Sequence, residues 1–143
     1  MKTTFVQSYL FFGGRCEEAL DFYRRAAGAE VKLLMHFNES PVPMPPGTIQ
    51  AGFETKVMHC EFQIGETIIM ASDGMDDKTR LGGFALALSV PTEADCDRIF
   101  AALADGGQVQ MPLAKTFWSP RYGMLTDRFG VAWMVMVPGQ PPQ

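Results

Sequence analysis

Two histidines and a few polar side chains inside apolar segments carry most of the chemical potential of this chain. His59 lies in "VMHCEF", with Glu61 two residues on. In a regular strand this spacing places both side chains on one face. A His–Glu pair there can orient a water, polarise a ligand or act as a general base, because imidazole titrates near neutrality. The plainer reading is a packed histidine beside a solvent-facing carboxylate. Gln7 and Tyr9 share one face of "VQSYLF". Burying two polar side chains without partners is costly, so that face is either a wet cavity wall or satisfied by neighbours. His36 sits near a loop and reads as exposed rather than catalytic. Near the C-terminus, "KTFWSPRYGMLTDRFG" gathers Phe117, Trp118 and Tyr122, which offer stacking area, and Arg121, which suits an anionic ligand. Packing at a dimer seam is the alternative role for Trp118. Asp127 reads as a turn residue bonding the backbone, and Asp73 as a loop cap at a strand end.

These residues need elements to position them, and the chain supplies the elements twice. "VQSYLFFGGRCEEALDFYRRAAGAEV" and "FALALSVPTEADCDRIFAALADGGQV" each read as strand, break, helix, glycine stop and new strand. Each is followed by two strands around a turn, at Gly65 in "HCEFQIGETIIMASD" and at Gly130 in "MLTDRFGVAWMVMV". The first copy carries an extra stretch, "NESPVPMPPGTIQAG", whose prolines mark a loop. The first helix puts Ala19, Phe22, Tyr23 and Ala26 on one face, with Glu17 and Glu18 in its first turn and Arg24 and Arg25 in its last. Thr92 and Asp95 form a variant capping box for the second helix, whose buried face is Cys96, Ile99, Phe100 and Leu103. "FALALSV" and "VAWMVMV" read as central strands. Gly13 and Gly14 are a turn signal, since no phosphate-loop framework surrounds them.

The architecture expected is α+β: two paired βαβββ modules whose curved mixed sheets form a cavity. One domain spans 1–143, with module one at 3–75, module two at 82–138 and a tail at 139–143. Its size permits a hydrophobic core without staples.

The net charge of −4 and pI near 5.1, with no basic stripe, argue against nucleic acid as partner. No apolar run reaches membrane-spanning length, and no signal-peptide pattern opens the chain. Three widely separated cysteines, Cys16, Cys60 and Cys96, point to a reduced, cytoplasmic setting and not to a disulfide framework.

"YLFFGGRCEEALDFY", "MHCEFQIGETIIMASD" and "YGMLTDRFGVAWMV" together resemble the vicinal oxygen chelate superfamily, which includes glyoxalase I, extradiol dioxygenases and bleomycin-resistance proteins. The similarity is greatest to the PhnB-like branch, often labelled "3-demethylubiquinone-9 3-methyltransferase domain" proteins. The resemblance implies paired modules, often a homodimer, and in many members a metal-dependent activity. Metal ligands in such relatives come from the first and last strand of each module. Carried over, those positions are Gln7 or Tyr9, Met70 to Asp73, the segment Phe84 to Val90, and Trp133, Met134 and Met136. The two module-two strands among these offer no imidazole or carboxylate, so the standard site for a divalent metal is not expected. The expected function is therefore small-molecule binding without the usual metal. His59 and Glu61 are the catalytic candidates; Gln7, Tyr9, Phe117, Trp118, Arg121 and Tyr122 are the ligand-binding ones. The alternatives are a metal-dependent lyase or dioxygenase-like enzyme with an atypical site, and a structural or interaction protein with a filled cavity. No cofactor loop for S-adenosylmethionine is present.

Overall fold

The computed structural model describes residues 3–139, so most of the tail expected at 139–143 lies outside the described residues. The chain divides into two compact units, Met1–Arg80 and Leu81–Gln143.

The first unit runs β1 (Tyr9–Phe11), α1 (Cys16–Ala27), β2 (Glu30–His36), a 3-10 turn (Phe37–Glu39), a second one (Phe53–Thr55), β3 (Val57–Ile64) and β4 (Thr67–Ser72). Its strand order is β1-β4-β3-β2, with β1 parallel to β4 and the other pairs antiparallel. The second unit repeats the plan with β5 (Leu86–Ser89), α2 (Glu93–Ala104), β6 (Gln108–Ala114), β7 (Arg121–Thr126) and β8 (Ala132–Val137), in the order β5-β8-β7-β6. These are two pseudo-symmetric βαβββ modules with mixed sheets.

The curved, cavity-forming sheets expected from the sequence are not what the structure has. Each module has an open four-stranded sheet with two edges, and neither sheet closes. The reason lies in the strands. β1 has three residues and β5 four, too little ladder to carry a sheet round on itself, and each pairs with a single neighbour. "FALALSV" is thus an edge strand, not a central one, while "VAWMVMV" supplies the central β8. Proline at Pro112 is tolerated for a related reason: β6 is an edge strand with irregular register on either side of Met111.

Alternation explains the packing. Along β3, Cys60, Phe62 and Ile64 are buried, while His59, Glu61 and Gln63 are half-buried on the opposite face. α1 covers the first face with Cys16, Ala19, Leu20, Phe22, Tyr23 and Ala26. Tyr23 stacks on Phe62 at 5.9 Å between ring centroids. The helix ends at Gly28, whose φ of 70° is left-handed and whose N–H returns to the carbonyls of the last turn. In the second unit Cys96, Ile99, Phe100 and Leu103 form the buried face of α2. Gly123 lets that helix approach β7, because a Cβ there would meet Phe100 at 2.8 Å. The Thr92 hydroxyl accepts from Asp95 N at 3.1 Å, as the capping motif predicts.

Two buried aspartates fasten these units. Asp73, 1% exposed, accepts from Gly14 N and Cys16 N through Oδ1 and from Val57 N through Oδ2, each at 2.8 Å. It ties the entry of α1 to the start of β3. Asp127 accepts from Phe129 N and Val131 N through Oδ1 and from the Trp133 indole through Oδ2. The backbone-bonding turn role read for Asp127 is present, with the indole added.

Candidate functional site

β1 and β3 are separated by β4 in the sheet, yet their side chains meet on the face opposite α1. The Tyr9 hydroxyl lies 2.9 Å from His59 Nδ1, and His59 Nε2 lies 3.1 Å from Glu61 Oε2. Both rings contribute further, with centroids 5.6 Å apart. The donors follow from the chemistry. A carboxylate only accepts, so His59 presents Nε2–H to Glu61. In the neutral ring Nδ1 is then an acceptor, and the Tyr9 hydroxyl donates to it. Burial raises the Tyr9 phenol above its ordinary value, with the Ser72 hydroxyl opposing that shift. Tyr9 therefore stays a protonated donor at neutral pH.

Tyr9 also lines a pocket of about 480 Å³ within the first unit, together with Phe11, Phe37, Met58, Ser72 and Met75. That volume falls in the range of about 300–1,000 Å³ typical of small-molecule sites. His59 and Glu61 are not among the lining residues and connect to the pocket through Tyr9. Tyr9 and Phe11 of β1, Met58 of β3 and Ser72 of β4 form its floor, and two loops complete the wall. One is the proline-rich segment before β3; the other follows β4. Gln50 clamps them together. Its N–H donates to Met75 O at 2.8 Å, its amide nitrogen reaches Asp77 Oδ2, and its amide oxygen accepts from Asp77 N. A second cavity of about 410 Å³ sits on the other side of Phe37 and Met44, lined further by Pro45, Ile49 and Glu54.

The remaining candidates fall elsewhere. Gln7 precedes β1, and its amide donates to Ile68 O at 3.2 Å, which satisfies it locally. His36 is half-buried between Glu39 and Glu17, whose carboxylates occupy both ring nitrogens. Those two contacts, Glu39 first, hold its pKa above the ordinary value. In the second unit Phe117, Trp118 and Tyr122 form a chain of edge-to-face contacts at 4.7 Å and 5.4 Å. Phe117 is 97% exposed and Tyr122 is buried at 8%. Arg121 is engaged: its Nε donates to Asp97 Oδ1 on α2 at 2.7 Å. The structure thus brings Tyr9, His59 and Glu61 together, groups the aromatic trio separately, and gives Arg121 a partner inside its own module.

Phe11, Phe37, Met44, Met58 and Met75 are not among the residues the sequence singles out, while Ser72 falls in the span Met70 to Asp73 that it does. The available signal was the proline-rich insert, present in the first module and missing from the second.

A match to the glyoxalase/bleomycin resistance protein/dioxygenase superfamily model covers residues 6–135. The chain belongs to that superfamily. It is 35% identical over 144 residues to protein YjdN of Escherichia coli, covering 96% of this chain and 97% of that one. It is similar to the crystal structure of protein PA1353 from Pseudomonas aeruginosa, at 38% identity and a TM-score of 0.82, covering 96% of this chain and all 100% of the other. It is also similar to a putative 3-demethylubiquinone-9 3-methyltransferase, PhnB protein, from Bacillus cereus, at 26% identity and a TM-score of 0.75, covering 94% and 99%.

The superfamily's divalent metal does not fit the residues present. At the closing strand of module one, Met70 pairs in register with Tyr9 on one side and Glu61 on the other. The His59 imidazole beside them is committed through both ring nitrogens, Nδ1 to Tyr9 and Nε2 to Glu61. A thioether, a phenol, one carboxylate and an imidazole with no free nitrogen are a poor set for a hard or borderline divalent ion. In module two the corresponding row is Ala87, Met134 and Met124, with no oxygen or imidazole donor. Among the described residues no group of three or more His, Cys, Asp or Glu is gathered to hold a metal ion. None of the helices described is long and apolar enough to cross a membrane.

Proposed function

We propose that the chain is a PhnB-like protein that binds a small molecule in the first-unit pocket without the superfamily's divalent metal. The observation that carries this reading is the double role of Tyr9, which is both pocket wall and end of the Tyr9–His59–Glu61 chain. A ligand placed against Tyr9 meets a phenol whose orientation is fixed by His59, which is fixed in turn by Glu61. Such support restricts the side chain before binding and reduces the ordering cost at binding. The likeness to the Bacillus cereus PhnB protein supports the branch. The three free cysteines support a reducing, cytoplasmic setting. A homodimer is the expected assembly.

A second reading has a specific observation behind it. Phenol, imidazole and carboxylate in series form a proton-transfer chain, and an enzyme removing or delivering a proton at a pocket ligand would use Tyr9 as the contacting group. Phe117, Trp118 and Tyr122 form a separate aromatic surface and are not needed in either reading.

The test is a fragment screen by two-dimensional NMR on the full chain, repeated with a chelator present. Hits that move the Tyr9, Phe11, Ser72 and Met75 resonances, unchanged by chelator and weakened in Tyr9→Phe, are expected. Hits confined to the second unit, or lost with chelator, would overturn the proposal. Turnover of a hit that vanishes in Tyr9→Phe would select the second reading.

A further inference from the structure

We infer that the first-unit pocket selects organic cations, specifically an apolar or aromatic body carrying a protonated amine or quaternary ammonium. This rests on the pocket reading above and adds the ligand's chemical class. The two cavities share Phe37 and Met44 as a common wall. Across both linings the charged side chains among the described residues are Asp76 in the Tyr9 pocket and Glu54 in the adjoining cavity, and both are acidic; no described Lys, Arg or His takes part.

Neither carboxylate is neutralised by a cationic side chain among the described residues. Among the described residues Asp76 and Glu54 form no ion pair with a Lys or Arg, and Asp76 Oδ1 accepts only the backbone N–H of Lys78, at 2.9 Å. Lys78 and Arg80 follow in the same loop, but both are exposed and neither lines the pocket. The Arg80 guanidinium donates to Thr79 O instead. Asp76 is half-buried, so its field is less screened than that of a fully exposed carboxylate.

The rest of the wall suits the same guest. Tyr9 and Phe11 present two rings with centroids 5.0 Å apart. Phe37 adds a third, and ring faces attract cations through the quadrupole. Met44, Met58 and Met75 add flexible, polarisable thioethers that repack around varied apolar bodies. An anionic guest in this pocket would meet the Asp76 carboxylate, with exposed Glu54 on the adjoining cavity, and like charges brought together count against binding. A neutral guest would gain the apolar contacts but no charge attraction to Asp76.

The experiment uses three probes with nearly the same body on the full chain: phenethylammonium, 2-phenylethanol and 3-phenylpropanoate. Binding is followed by NMR shift titration at low salt. Phenethylammonium is expected to bind at least fivefold more tightly than the alcohol, with shifts at Phe11, Ser72 and Met75, and the propanoate least of all. Asp76→Asn should weaken the ammonium at least fivefold and the alcohol less than about twofold, since the Asn amide oxygen still accepts a hydroxyl. Asp105→Asn, an exposed acid on the second unit, should change neither. Both substituted sites are solvent-accessible, and an unchanged amide spectrum confirms folding. Equal affinity for ammonium and alcohol in the pocket, or an ammonium affinity indifferent to Asp76→Asn, overturns the cation preference while leaving the pocket reading in place. Failure of all three probes to move any pocket resonance overturns both.

Discussion

Replacing Asp73 by Asn tests how the first unit is held together beneath its pocket. The carboxylate is buried and receives three backbone N–H groups, two on Oδ1 and one on Oδ2. Asparagine keeps one oxygen. If that oxygen stays with Gly14 and Cys16, the amide NH₂ faces the Val57 N–H, donor against donor. The loss is one hydrogen bond to a charged acceptor, about 1.5–3 kcal/mol, with weaker bonds to the other two donors. Removing a buried charge returns part of this. The net cost is about 2 kcal/mol for Asp73→Asn and roughly 3–5 kcal/mol for Asp73→Ala, which strands three buried donors. Against a total stability of about 5–15 kcal/mol this is large. The probe must report the first unit. The chain's two tryptophans, Trp118 and Trp133, both lie in the second unit, so their fluorescence is not a direct probe of the first. Native-state hydrogen exchange at the Cys16 and Val57 amides is the assay. Both amides should lose protection by about 2 kcal/mol in Asp73→Asn, worked from the bond energies above. A loss below about 0.5 kcal/mol, the ordinary scatter for a neutral substitution, would refute the reasoning.

Other expectations follow from the same contacts. His36 should titrate above the ordinary value of 6.5, because Glu39 and then Glu17 favour its charged form. A folded pKa raised in this way contributes stability that is full below the unfolded pKa and is lost as pH rises through the folded one; denaturation midpoints of wild type minus His36→Gln should fall across that window. Arg121→Ala should shift the thermal denaturation midpoint little, since it breaks only a partly exposed pair with Asp97. It should leave pocket binding intact, and a loss of ligand affinity would restore the anion-binding role the sequence suggests. Cys16, Cys60 and Cys96 are buried and free, and contact with Cys60 together with burial pushes the Cys16 thiol up. A thiol reagent should find all three silent in the native chain and all three reactive in denaturant.

What the sequence made legible was local. The faces of both helices, the Thr92 cap, the Gly28 stop and the hairpins at Gly65 and Gly130 all follow from periodicity and turn chemistry within a few residues. The repeat is legible because it preserves the order of those periods. What was hidden is what contacts across the chain decide. Tyr9 and His59 are 50 residues apart, and nothing local says that phenol and imidazole meet. Arg121 looked free for an anion because Asp97, its partner, lies 24 residues earlier on a helix face. The expected sheet curvature failed for the same kind of reason: alternation fixes which side chains share a face, but strand length and edge pairing fix the sheet's extent. The pocket wall came from the proline-rich segment, read as a loop. Its closure depends on Gln50 meeting Met75 and Asp77.

The central claim is that Tyr9, His59 and Glu61 serve a ligand pocket and not a metal centre. It is tested most directly by calorimetric titration of Zn²⁺ and Mn²⁺ into tag-free, chelator-treated protein, wild type and His59→Ala side by side. No stoichiometric binding of either ion to wild type is expected, with the same trace for the variant. One equivalent bound by wild type and lost in His59→Ala would contradict it and make His59 a metal ligand.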